Sequence, residues 1–186
     1  MGRLIMWNLV TLDGYFEGPG HDLSMHQDVW GEELEAFSIE QLEGAGALLF
    51  GRVTYDMMAA YWPKETEPGV IADTMNGLPK VVFSRSQRQG AWNNTRFPAG
   101  DAVAEVAKLK SEMSGNILLF GSADLAASLM PAGLFDEIRL CVTPRLLGEG
   151  TRLFRSTPDS MKLDLAEART LTNGGVILRY VPGAQG

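Results

Sequence analysis

Twice in this chain a short apolar run ends at glycine and turns at once into a helical pattern. ALLFG at 47–51 leads into a helix read at TYDMMAAYW, and NILLF at 116–120 passes through Gly121 and Ser122 into ADLAASLM. A strand that is apolar along its whole length needs cover on both faces. A helix that follows without delay supplies that cover and returns the chain for a parallel neighbour. The feature therefore predicts an α/β chain with a mostly parallel central sheet and helices on both faces.

The other segments agree. RLIMWNLV (3–10) and KVVFS (80–84) read as buried strands, and TRFP (95–98) as a short one. EELEAFSIEQLEGA (32–45) places Leu34, Phe37 and Leu42 on one helical face, Pro63 stops the helix read at 54–62, and Asp101 is placed to cap an amphipathic helix over 101–113. The stretch 12–23 is rich in turn formers and reads as a loop. FDEIRLCVTPRLL (135–147) begins as a strand, with Asp136 and Glu137 set to cap or pair. KLDLAEARTL and GVILRYV, joined by Thr-Asn-Gly-Gly, predict a C-terminal antiparallel hairpin. A chain of 186 residues with 45% apolar content suits one domain, 1–186, with a full core.

Bulk properties narrow the function. A net charge of −7 argues against broad nucleic-acid binding, yet leaves room for a small anionic ligand held by a local arginine cluster. No apolar stretch is long enough to span a bilayer, and the opening MGRLIMWNLVTLDG lacks the pattern of a signal peptide. Cys141 is the single cysteine, so no internal disulfide forms; it lies mid-strand and reads as core. A cytoplasmic protein is the expectation. His21 and His26 share a turn-rich loop with Asp22 and Asp28 without metal-ligand spacing on a fixed element, so no metal is expected. The fingerprints G-x-G-x-x-G before a helix, the P-loop and G-x-S-x-G are absent.

The two strand-to-helix turns carry the chemistry. In LLFGRVTYDMM (48–58), Gly51, Arg52 and Thr54 stand where unpaired backbone N–H groups and the helix dipole favour an anion. In LLFGSADLAASL (118–129), Gly121 and Ser122 repeat the plan. Thr54 and Ser122 read either as plain N-caps or as hydroxyl ligands to an oxygen anion; as a pair, the turns are placed to face one pyrophosphate from two sides. Ser84, Arg85 and Ser86 follow another strand end, and a Ser-Arg there suits a phosphate.

These blocks, with VTLDGYFEG (10–18) and the long run LLFGSADLAASLMPAGLFDEIRLCVTPRLLGEGTRLF (118–154), resemble the dihydrofolate reductase-like superfamily. The resemblance covers nearly the whole chain. It is greatest to the branch of the riboflavin-pathway reductase, the C-terminal half of a bifunctional deaminase-reductase, and its stand-alone relatives. It implies NADPH as hydride donor. By resemblance Gly51, Arg52 and Thr54 take one side of the phosphates, and Gly121, Ser122, Ala123 and Leu125 the other. Ser84 and Arg85 approach the adenosine 2′-phosphate. Leu12, Asp13 and Gly14 lie beside nicotinamide and substrate, Thr143 holds the place of a cleft threonine, and Phe120 that of an apolar cleft residue. Ser122 departs from the usual second glycine.

The resulting expectation is an NADPH-dependent reductase of a small-molecule C=N or C=O acceptor. Asp13, a first-helix carboxylate (Glu33 or Glu35) or an ordered water is the expected proton source. Two rivals stand beside it: a true dihydrofolate reductase, marked by a first-helix carboxylate facing the cleft, and a non-catalytic NADPH-binding module. Relatives of this branch are often homodimers, which points to FDEIRLCV and the C-terminal hairpin as contact surfaces.

Overall fold

A computed structural model describes residues 1–65, 69–86, 89–155 and 160–183. The strands are β1 (Leu4–Thr11), β2 (Tyr15–Glu17), β3 (Ala45–Gly51), β4 (Lys80–Phe83), β5 (Thr95–Arg96), β6 (Asn116–Phe120), β7 (Glu137–Thr143), β8 (Thr151–Arg152), β9 (Leu163–Thr170) and β10 (Val176–Pro182). The helices are α1 (Glu32–Glu43), α2 (Arg52–Tyr61), α3 (Val70–Gly77), α4 (Ala102–Glu112) and α5 (Ala123–Leu129). Eight strands form one sheet in the order β5-β4-β3-β6-β1-β7-β10-β9, parallel from β5 to β7 and antiparallel through β10 and β9. The expected α/β architecture with its C-terminal hairpin is the one found.

Strand alternation divides the core. On one face Leu4, Met6, Leu49, Ile117 and Leu119 pack under α4 and α5, through Val106, Leu109, Ala126 and Leu129. On the other, Ile5, Leu48, Phe50 and Leu118 meet α2 and α3 through Tyr55 and Met75, while Trp7 and Cys141 meet Leu34 and Phe37 of α1. Burial pushes the Cys141 thiol up to about 12, as a core position requires.

Several expectations change. The stretch read as a loop holds β2, which pairs with β8 across more than a hundred residues. Helix α3 was not anticipated; it occupies eight residues behind Gly69. Asp101 caps α4, its carboxylate accepting from the Ala104 N–H at 3.0 Å. Thr54 lies inside α2, and Ser122 holds the N-cap position of α5 but its hydroxyl caps no N–H of that helix. The strand expected to carry a dimer contact, β7, lies inside the sheet between β1 and β10, and its backbone is already paired on both sides. Of the two suspected surfaces only the hairpin has an outer edge, at β9.

Candidate functional site

In a mostly parallel sheet the loops beyond the carboxyl ends of the strands face one common space. Here that space is a groove of about 1090 Å³. Gly51, Arg52 and Thr54 line it, as do Ser84, Arg85, Ser122, Ala123 and Leu125. Strand order sets their sequence along it. The segment after β4 comes first, then that after β3, then that after β6, with β2, next to β1, at the far end.

The middle of the groove is a cross-stitched pair of turns. Gly121 and Ser122 both take positive φ, +52° and +57°. The Ser122 N–H donates to Thr54 Oγ1 at 3.0 Å, and the Gly51 N–H donates to Ser122 Oγ at 2.9 Å. Ser122 Oγ in turn donates to the Phe120 carbonyl. A Cβ on Gly121 would fall 2.7 Å from Thr54 Oγ1. Glycine is needed there for the approach of α2 as well as for its backbone conformation. The Gly121 N–H is taken by Asn8 Oδ1 at 2.7 Å, while Asn8 Nδ2 is a buried donor without a partner among the described residues.

The charges are arranged for an anion. Arg52 is the first residue of α2, whose first turn contains no acidic side chain. A cation at that end opposes the helix dipole, so helix stability alone would not select it. Its own partner, Asp56, is a half-exposed contact at 3.2 Å. Arg85 makes no ion pair with a described residue. Three elements of the groove escaped the sequence reading: the N-terminus of α4, Arg155 paired with Asp124 at 2.7 Å, and the residues Glu17 and His21.

The remaining expected residues lie outside the groove lining. Asp13 is a structural clip. It accepts from the Thr11 hydroxyl and from the N–H groups of Leu147 and Gly148, which hold its carboxyl down to about 2. A carboxylate so loaded carries no proton to give near neutrality. Leu12 is exposed on the same turn, and Gly14 (φ +86°) supplies its backbone, donating to the Thr11 carbonyl and accepting from the Leu153 N–H. Phe120 stacks on Phe50 with ring centroids 6.3 Å apart.

Glu33 is turned to the hairpin, not to the groove. It accepts from the Thr172 hydroxyl and N–H, which lower its pKa. Glu32, Glu35, Glu40 and Glu43 are exposed as well, and the buried side of α1 is Leu34, Phe37, Gln41 and Leu42. Thr143 is fully buried, and its hydroxyl has no partner among the described residues. The 3-10 turn Ser24–Asp28 packs on β7, and Asp28 is held by two bonds from Arg145, at 2.6 and 2.8 Å. His21 and Asp28, once grouped as metal candidates, are thus bound to different partners, Glu17 and Arg145.

Comparison with known proteins shows the family and the fold. The model of the RibD C-terminal domain family matches residues 3–177. The uncharacterized protein YyaP of Bacillus subtilis (strain 168) is 31% identical over 184 residues, covering 96% of this chain and 94% of that one. Among solved structures, a Shewanella sp. PV-4 protein assigned provisionally to riboflavin biosynthesis superposes with a TM-score of 0.82 at 19% identity, covering 98% and 99% of the two chains. Dihydrofolate reductase from Enterococcus faecalis, solved with NADP(H), superposes at 0.66 with 12% identity and 98% coverage of each chain. The chain belongs to the RibD C-terminal domain family, on a dihydrofolate reductase-like fold.

Proposed function

We propose that this protein is an NADPH-dependent reductase of a small-molecule C=N or C=O acceptor. One observation carries the reading. The strand order places Arg85, then Arg52, then Ser122 along a single groove, at the spacing of successive strands. Two phosphate regions of one dinucleotide need anion sites on neighbouring strand ends, and neighbouring strands stand about 4.8 Å apart.

The residues fit such a cofactor. Arg85 and Ser84 would hold the 2′-phosphate end. Arg52 and the N-terminus of α2 would meet the pyrophosphate, with Ser122 and Ala123 across from them. The orphaned Asn8 Nδ2 is a donor awaiting an acceptor under the same turn. The bound dinucleotide would supply the hydride; the chain aligns the acceptor, excludes water and handles the proton.

The dihydrofolate reductase reading needs a first-helix carboxylate in the cleft. All five glutamates of α1 are exposed, and Glu33 is occupied by Thr172. That observation favours a different acceptor.

The test is a fluorescence titration with NADPH and NADH, followed by turnover with a panel of carbonyl and imine acceptors. NADPH binds in the micromolar range and more tightly than NADH, and Arg85→Ala erodes that preference. Absence of binding by either dinucleotide refutes the reading. Binding without consumption of NADPH by any acceptor marks a binding module.

A further inference from the structure

With Asp13 ionised and bonded, and the α1 glutamates in solvent, a side-chain proton source has to be sought elsewhere in the groove. Two residues at its β2 end have the chemistry. Glu17 closes β2, and its side chain is 6% exposed although the residue lines the groove. A buried carboxylate requires a partner. His21 supplies it, with Nδ1 3.0 Å from Glu17 Oε2. The backbone is shaped for this pair. His21 takes φ +64° at the end of the 3-10 turn Pro19–His21, an uncommon conformation for a residue with a side chain. Gly150 lets the loop before β8 approach, since a Cβ there would fall 2.2 Å from the Glu17 carbonyl oxygen.

The orientation of the pair follows from these contacts. Nδ1 is committed to Glu17, so Nε2 is the nitrogen left to exchange protons. The imidazole is half exposed, at 51%, so solvent can recharge it. β2 packs on β1, which lies beyond β6 in the strand order, so Glu17 and His21 stand on the side of the groove away from Arg85. On the cofactor reading above, on which this inference rests, a dinucleotide anchored at Arg85 and Arg52 reaches that side with its nicotinamide.

We propose that the Glu17–His21 pair holds and delivers the proton taken up by the acceptor. As hydride reaches the acceptor carbon, the π pair of the C=N or C=O bond moves to nitrogen or oxygen. That atom takes the proton from His21 Nε2. The imidazole is left neutral, still bonded to Glu17, and regains its proton from water. The other charges on the groove walls are Arg85, Arg52 paired with Asp56, and Arg155 paired with Asp124; Asp101 is held by its cap, and Asp22, on the same turn as His21, by Ser24.

The chain has two histidines, which makes the test direct. Imidazole titrations by NMR are recorded for the free protein and for its NADP⁺ and NADPH complexes. The oxidised ring is positively charged, so His21 titrates lower in the NADP⁺ complex than in the NADPH complex. A difference of about half a pH unit corresponds to roughly a threefold change in the ratio of the two dissociation constants across the titration. His26 titrates alike in both complexes. His21→Gln abolishes the pH dependence of that ratio. His21→Gln also removes the fall in turnover with rising pH for the acceptor found in the panel. Equal His21 titration in the two complexes overturns the proposal, and so does a wild-type pH–rate profile in His21→Gln. If neither dinucleotide binds, the cofactor reading fails first and this proposal falls with it.

Discussion

The Thr54 hydroxyl accepts the backbone N–H of Ser122 at 3.0 Å, so a side chain of α2 completes the turn that opens α5. The bond is buried and joins positions 68 residues apart. Thr54→Val is nearly isosteric and leaves the Ser122 N–H without an acceptor. It costs about 1–3 kcal/mol in urea denaturation and weakens NADPH binding, while Thr54→Ser retains most of both. A Thr54→Val protein as stable as wild type would contradict this role.

Gly121 and Thr54 are coupled by space as well. Gly121→Ala meets the Thr54 side chain and forces alanine into a positive φ of +52°. The strain persists in any background, but the clash does not. In the Gly121→Ala, Thr54→Ala double variant the measured destabilisation falls short of the sum of the single ones, by about 0.5–3 kcal/mol. Strict additivity would show that the two turns do not constrain each other.

Arg52 stands against the dipole of its own helix. Its removal relieves that conflict, while the exposed pair with Asp56 contributes little. Arg52→Gln therefore leaves the unfolding free energy from urea denaturation within about 0.5 kcal/mol of wild type, or slightly raised. NADPH binding falls several-fold. A loss of stability without a loss of affinity would assign Arg52 to the fold.

The parts of the groove legible in the sequence are those signalled locally. An apolar run that stops at Gly51, Ser84 or Gly121 marks a strand end, and the residues after it face the ligand side. Glu17 and His21 escaped because β2 exists only through its pairing with β8, a contact with no local signature. Asp13 and Glu33 were read as free carboxylates for a related reason. Their partners Leu147 and Thr172 lie 134 and 139 residues away, and no spacing rule reveals that their oxygens are already taken. The α1 glutamates show the limit of charge patterning, since periodicity located the apolar face correctly but gave no partner for the polar one.

Glu137 is a second place where chemistry is concentrated, at the end of the sheet away from the groove. It is 1% exposed and receives Arg139, Arg179 and Arg3 at 2.7, 2.6 and 2.8 Å. Burial alone would raise its pKa, but the bonds and charges of Arg139 and Arg179 hold it down to about 2. Glu137→Gln leaves the buried Arg139 guanidinium without its carboxylate, while Arg179 keeps Glu167 at 2.9 Å, and costs about 3–5 kcal/mol. Arg3→Ala removes only a half-exposed partner and costs less than about 1 kcal/mol. Similar costs for the two variants would refute a buried charge centre.

Lys80 sets the alkaline behaviour. It is fully buried, donates to the Asn76 carbonyl at 2.6 Å and lies 4.3 Å from the centre of the Trp92 ring. Burial pushes its pKa down from 10.5 to about 8. Above pH 8 the folded protein releases this proton before the unfolded chain does. The unfolded state then binds more protons, so stability rises with pH. Cys141 acts in the opposite sense, because its folded pKa is raised from 9.0 to about 12, and its contribution is lost once the unfolded thiol ionises. The window from about pH 7.5 to 8.7 belongs mainly to Lys80. Urea midpoints across that window rise in wild type and stay flat or decline slightly in Lys80→Met, where only Cys141 remains to act. A wild-type slope that survives in Lys80→Met would mean that another group carries it.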